Sequence, residues 1–173
     1  MENKSFIILI DGPMGSGKTT IAQILHSKLK RTAYIGLDRV KRFISDFKKN
    51  PIDNEISRNV VLAMTSEYLK RGINVIIEQG MREDYIKLLK KIATKNKAQC
   101  FIYQLDAPKE LLQKRVFERT KLANRPQISK ARIERNYKIH LNSKYKHTKV
   151  FDSEKLSTEV IAKDILKEVK QNK

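Results

Sequence analysis

The chain has 173 residues, 40% of them hydrophobic, and 37 Lys or Arg against 19 Asp or Glu give a formal net charge of +18. That length suits one compact domain, and that apolar share supplies a real core, which excludes an intrinsically disordered chain. A single cysteine, Cys100, excludes an internal disulfide, and no paired His/Cys spacing points to zinc.

The first element is the apolar run Phe6–Ile10, which reads as a strand ending at the acidic Asp11. It is too short for the apolar region of a signal peptide, and no stretch approaches the roughly 18 apolar residues of a membrane span. The expectation is a soluble, cytoplasmic protein without a membrane partner. Ile21, Ile24, Leu25 and Leu29 lie at helical spacing over Thr20–Leu29. Ala33–Leu37 predicts a second strand leading to Asp38. Val40, Phe43, Ile44 and Phe47 then repeat at helical spacing until Pro51 breaks the pattern, and Asn54–Lys70 predicts a longer helix. Gly72 ends it. Ile73–Ile77 is a third strand, Glu83–Lys95 a helix with Tyr85, Leu88, Leu89 and Ile92 as its apolar stripe, and Ala98–Leu105 a fourth strand. Cys100 sits within that strand, as a buried and inert thiol would.

Pro108 occupies a favoured first-turn position for the helix that carries Leu111, Leu112, Arg115, Val116 and Arg119. The polar stretch Thr120–Gln127 predicts a mobile loop, and Ser129 caps a helix running to about Leu141. A short fifth strand at Thr148–Phe151 and a helix from about Ser157 to Val169 complete the chain. Strands alternating with helices imply a doubly wound α/β domain, with a five-stranded parallel sheet and helices on both faces.

One motif carries a specific chemistry. Gly12-Pro13-Met14-Gly15-Ser16-Gly17-Lys18-Thr19 matches the Walker A pattern, with a strand before it and an amphipathic helix after it. The glycines let successive backbone N–H groups turn inward around a β-phosphate, and the helix points its positive end at the same anion. Lys18 then bridges the β- and γ-phosphates of ATP, and the Thr19 hydroxyl is the candidate ligand for Mg²⁺. The nucleotide-binding set is Gly12, Gly15, Ser16, Gly17, Lys18, Thr19 and Thr20. No Asn-Lys-x-Asp base-reading motif of a GTPase follows, and the chain is short for a motor or an AAA-type ATPase.

The surrounding residues suit a small kinase. Asp38 falls at the carboxyl edge of the sheet, where it can accept the proton of an attacking hydroxyl or cap the next helix. Arg39, Lys41 and Arg42 follow it, as an anion-binding group or a solvated face. Glu78 ends the third strand at the same edge, placed to order a Mg²⁺-bound water or hold substrate, and Arg82 follows. Arg115 and Arg119 are four apart on one helical face and precede Arg125, which predicts a basic lid over residues 115–130. From Lys109 to Lys149 there are thirteen Lys or Arg and three acids, so this segment carries +10 of the +18. Such a block either meets a nucleic acid or reflects a lysine-rich composition. His26, His140 and His147 have no partner pattern and read as packing or surface residues.

Assembled, these motifs resemble the P-loop kinase group of polynucleotide 5′-hydroxyl kinases, zeta toxins and chloramphenicol phosphotransferase-like enzymes. The likeness to polynucleotide kinases rests on Asp38 with Lys41, on Leu105-Asp106-Ala107-Pro108 leading to Arg115, and on Arg115 and Arg119 followed by Pro126. It implies Asp38 as general base, Arg119 on the transferring phosphate and Arg115 beside the nucleotide, with Lys41 standing where those kinases usually carry Arg. The likeness to zeta toxins rests on Ile77-Glu78-Gln79-Gly80-Met81-Arg82 and implies Glu78 and Arg82 in the acceptor site, although Gln79 intervenes and the toxins' Thr is absent. The expected activity is transfer of the γ-phosphoryl of ATP, with Mg²⁺, to a hydroxyl. The acceptor is a nucleic-acid 5′-hydroxyl or a small molecule, such as a nucleoside, nucleotide, sugar or antibiotic. A non-catalytic nucleotide-binding module is the third reading.

Overall fold

The computed structural model describes residues 4–78, 83–141 and 147–171. In chain order the elements are β1 (Phe6–Asp11), α1 (Lys18–Lys28), β2 (Thr32–Gly36), α2 (Leu37–Lys41), α3 (Pro51–Lys70) and β3 (Asn74–Glu78). They continue with α4 (Glu83–Lys95), β4 (Gln99–Asp106), α5 (Lys109–Leu122), α6 (Lys130–Leu141), β5 (Lys149–Asp152) and α7 (Thr158–Gln171). The five strands form one all-parallel sheet in the order β2-β3-β1-β4-β5. This is the five-stranded parallel α/β sheet expected from the strand-helix alternation.

The period-2 geometry of β1 divides the core. Ile7 and Leu9 face α2, α3 and α4 with Val75, Ile77 and Leu89, whereas Phe6, Ile8 and Ile10 face α1 and α7 with Ile21, Leu25 and Ile165. All six residues of β1 are buried, which is why the strand reads as a continuous apolar run rather than an alternating one. The central strand is thereby fixed on both faces, and its carboxyl end is a rigid base for the loop that follows. No helix among the described residues is long and apolar enough to cross a membrane.

Three boundaries differ from expectation by more than two residues, each for a local reason. The helical spacing of Val40–Phe47 yields a helix only to Lys41. Beyond it the backbone closes i→i+3 turns, from Phe43 to Val40 and from Ile44 to Lys41, and leaves Phe43 71% exposed. Pro51 ends that pattern but also opens α3, because Asn50 caps the new helix by accepting from the Asp53 amide at 2.7 Å. Thr120, expected in a loop, is instead the last buried position of α5. Its hydroxyl lies 3.1 Å from the Val116 carbonyl and 3.0 Å from Gln127 Oε1, so the loop begins only after Leu122.

The two-sided core predicts a sharp contrast between Ile8→Ala and Leu122→Ala. Ile8 is fully buried, and its truncation should lower unfolding free energy by about 2–5 kcal/mol. Leu122 is 89% exposed, and its truncation should change stability by no more than about 0.5 kcal/mol. Urea denaturation followed by circular dichroism measures both.

Candidate active site

The site begins where β1 ends. Asp11 is buried and accepts from the Gly12 amide at 2.6 Å, which starts the reversal of the chain. Gly12, Gly15 and Gly17 hold φ of 143°, 84° and 96°, conformations that side chains disfavour. A Cβ on Gly12 would lie 2.6 Å from the Leu105 carbonyl oxygen, and one on Gly15 would lie 2.9 Å from that of Leu112. The loop is therefore threaded between the end of β4 and α5 with no space for side chains. Helix α1 starts with neither a side-chain cap nor an acidic residue in its first turn. Its leading N–H groups and the positive end of its dipole are left facing the loop, a ready anion site. The buried Ser16 hydroxyl has no protein partner either. An uncapped helix, an orphaned hydroxyl and a cradle that a Cβ would fill all fit a nucleotide phosphate.

Lys18 reaches back over this loop and donates to the Pro13 carbonyl at 2.7 Å. Loss of solvation pulls its ammonium down from the ordinary 10.5 to about 8, against the opposing pull of Asp11, Glu78 and Asp38 and with a further push from Arg119. Those influences identify the charged groups around it, which come from β1, β3, α2 and α5. Glu78, at the carboxyl end of β3, accepts from two hydroxyls. Thr19 donates to its Oε1 and Tyr34 to its Oε2. Among the described residues no cluster of three or more His, Cys, Asp or Glu could hold a metal alone. Thr19 and Glu78 instead offer two hard oxygen donors beside the phosphate cradle. That set fits Mg²⁺, which is commonly held by one or two protein oxygens together with substrate phosphates.

Asp38 does not end the second strand as expected. β2 stops at Gly36, and Asp38 stands in the first turn of α2 with its side chain 68% exposed. Lys41 Nζ lies 3.2 Å from Asp38 Oδ1, and Arg42 Nε donates to the Asp38 carbonyl at 3.0 Å. The Arg39 guanidinium lies 5.0 Å from the Tyr34 ring centre. On the other side, Arg115 Nη2 donates to the Ser153 carbonyl at 2.8 Å. Arg115 and Arg119 line a cavity of about 450 Å³ with Gly15–Thr20 and the segment from Ser153 to Glu159.

The structure thus brings Gly15, Ser16, Gly17, Lys18, Thr19, Thr20, Arg115 and Arg119 around one cavity, with Glu78 bonded to Thr19 and Asp38 within electrostatic reach of Lys18. Arg125 is exposed and does not line the cavity, and its amide merely closes the end of α5 on Thr120. Arg82 lies outside the described residues. Sequence reasoning missed the wall made by Ser153, Ser157 and Thr158. Its only local signal is Ser157, whose hydroxyl accepts from the Val160 amide at the start of α7. It also missed α6. Asn136 Oδ1 accepts from the Met14 amide at 2.6 Å, and His140 Nδ1 lies 3.0 Å from Asp11 Oδ1. His140, expected as a packing or surface residue, helps strap α6 to the end of β1 where the phosphate loop begins. These contacts join residues more than 120 positions apart, and no short motif announces them.

The comparisons with known proteins agree with this geometry. The solved structures similar to this chain include the tunicamycin resistance protein of Deinococcus radiodurans, at 21% identity and a TM-score of 0.67 over 96% of each chain. The shikimate kinase of Acinetobacter baumannii, solved with shikimate, aligns at 19% identity and a TM-score of 0.66 over 99% of this chain and 96% of that one. A chain of the Pnkp1/Rnl/Hen1 RNA repair complex aligns at 24% identity and a TM-score of 0.62, over 79% of this chain and 44% of that one. At such identities the likeness shows the fold, a kinase-like P-loop domain. The family described as an AAA domain matches residues 7–138, from within β1 to within α6, and the chain belongs to that family.

Proposed function

We propose that the protein transfers the γ-phosphoryl group of ATP to an acceptor hydroxyl. The observation that carries this reading is the convergence of Lys18, Arg115 and Arg119 on one cavity floored by an uncapped helix N-terminus, with a carboxylate, Asp38, within electrostatic reach of Lys18. The loop amides and Lys18 hold the β- and γ-phosphates. The acceptor oxygen attacks the γ-phosphorus as its proton passes to an Asp38 carboxylate oxygen, and the bond to the β–γ bridging oxygen breaks to release ADP. Arg119 offsets negative charge on the equatorial oxygens, and Arg115, tied to Ser153, fixes the nucleotide side of the cavity. Lys41, 3.2 Å from Asp38, orients the carboxylate at the acceptor edge. Thr19 and Glu78 would hold Mg²⁺, which would neutralise charge on the phosphate oxygens.

A nucleic-acid 5′-hydroxyl is the acceptor this reading favours. Lys114, Lys121, Arg125, Lys130, Arg132 and Arg135 are all exposed on α5, α6 and their connection, and form no ion pair among the described residues. Exposed cations without an ion pair among the described residues suit a polyanionic strand, which predicts binding that weakens steeply with salt. A small-molecule acceptor is the second reading, supported by the full-length likeness to a shikimate kinase, and it predicts little salt dependence.

Asp38→Ala should lower turnover by about 10²-fold or more and leave ATP affinity within about twofold. ADP release, measured with a 5′-hydroxyl oligonucleotide and a panel of nucleosides, nucleotides, sugars and hydroxyl antibiotics, tests this. Equal turnover by wild type and variant would contradict it.

Lys18 sets a pH dependence. Phosphate binding favours its charged form, so the protein should take up a proton on binding ATP near its free pKa of about 8. Affinity should be complete below that value and weaken as pH rises through it, by at most about tenfold per unit. Calorimetry in buffers of different ionisation heat measures the uptake, and Lys18→Arg, which stays charged, should abolish it.

A further inference from the structure

Glu78 is held from two sides, and only one of its partners belongs to the phosphate loop. Thr19 donates to one carboxylate oxygen, and the phenol of Tyr34 donates to the other. Tyr34 comes from the middle of β2, the strand that pairs in register with β3, with Gly36 beside Glu78. The backbone at Gly36 passes close to this group. A Cβ there would lie 3.5 Å from Glu78 Oε2 and 3.6 Å from Arg39 Cγ, so a side chain at this strand end would touch both the carboxylate and the arginine stem. The Tyr34 ring is itself fixed, with the His26 ring centre 5.9 Å away and the Arg39 guanidinium 5.0 Å from its own centre.

We propose that Tyr34 is a positioning residue for Mg²⁺ in this site: its hydroxyl pins one oxygen of Glu78 so that the other stays on Thr19, at the mouth of the phosphate cradle. The inference rests on the reading that the site holds ATP with Mg²⁺. A glutamate has three side-chain torsions, and a carboxylate at a strand end without a second anchor samples rotamers that leave the Thr19 hydroxyl. With Tyr34 in place those rotamers cost a hydrogen bond to a charged acceptor. Tyr34 is suited to the task because an ordinary phenol keeps its proton, and so remains a donor, throughout the physiological pH range. Partners that orient a metal's ligands commonly change metal affinity by about 10–100-fold when removed. The shared ring contact also links the metal side of the site to the Asp38 side, since Arg39 follows Asp38 directly.

The test is calorimetric titration of ATP into wild type and Tyr34→Phe, each with and without Mg²⁺. The substitution removes one oxygen and leaves the ring against His26 and Arg39, and thermal melting checks that the variant folds. Wild type should gain ATP affinity on addition of Mg²⁺. In Tyr34→Phe that gain should fall about tenfold while affinity without Mg²⁺ stays within about twofold. A gain equal to wild type would overturn the proposal. So would a parallel loss with and without Mg²⁺, which is the mark of a merely structural side chain. If wild type itself binds ATP with no Mg²⁺ gain, the metal reading fails and the proposal falls with it. If wild type binds no ATP at all, the functional reading is at fault.

Discussion

Between Asp11 and Lys18 the chain must turn from a buried strand into a helix through a space bounded by the Leu105 and Leu112 carbonyls, and only glycine fits where the loop presses on them. The turn leaves the first N–H groups of α1 without partners. The rest of the molecule is arranged around that local deficit. β1 is locked by apolar side chains on both of its faces, so the loop cannot relax into the sheet. α5 and α6 close over it from above, through the Gly15–Leu112 approach and the Asn136 bond to Met14. An anion is the one partner that satisfies both the orphaned amides and the helix dipole.

Charge around the loop is balanced on a small scale although the chain carries +18 overall. Lys18 feels Asp11, Glu78 and Asp38 in one sense, and desolvation and Arg119 in the other. The acids come from three different elements at the carboxyl edge of the sheet, and the arginines come from α5. In the proposed reading, the phosphates and metal lie toward Thr19 and Glu78, the nucleotide toward Arg115 and Ser153, and the acceptor toward Asp38 and Lys41. In that reading, the exposed cations of α5 and α6 are where a polyanionic acceptor would run.

The strands and the phosphate loop were legible in the sequence because their signals are local. A fully buried strand is a continuous apolar run, and a phosphate turn needs glycine at fixed offsets. Glu83–Lys95 was legible to the residue because its apolar stripe is strong. The segment after β2 was not, since Phe43 matches the helical period yet faces solvent, and periodicity cannot distinguish a core residue from an exposed one. Thr120 failed for the opposite reason, as a polar side chain whose hydroxyl is satisfied within its own helix. Within the site, the phosphate-loop residues and the two arginines four apart line one cavity, whereas Arg125, chosen for charge alone, lies outside it. Tyr34, Asn136, His140 and Ser153 were invisible because each acts through a partner 38 to 129 positions away in the chain, counting Tyr34–Glu78, Asn136–Met14, His140–Asp11 and Ser153–Arg115.

The central claim is that the loop from Gly12 to Thr19 binds nucleotide phosphates. Thermal unfolding of wild type and Lys18→Ala across a series of ADP concentrations with Mg²⁺ tests it most directly. The account predicts a melting temperature that rises with ADP for wild type, as mass action requires of a ligand that binds only the folded chain, and a rise lost or much reduced in the variant. No rise in wild type, or the same rise in both, would contradict it.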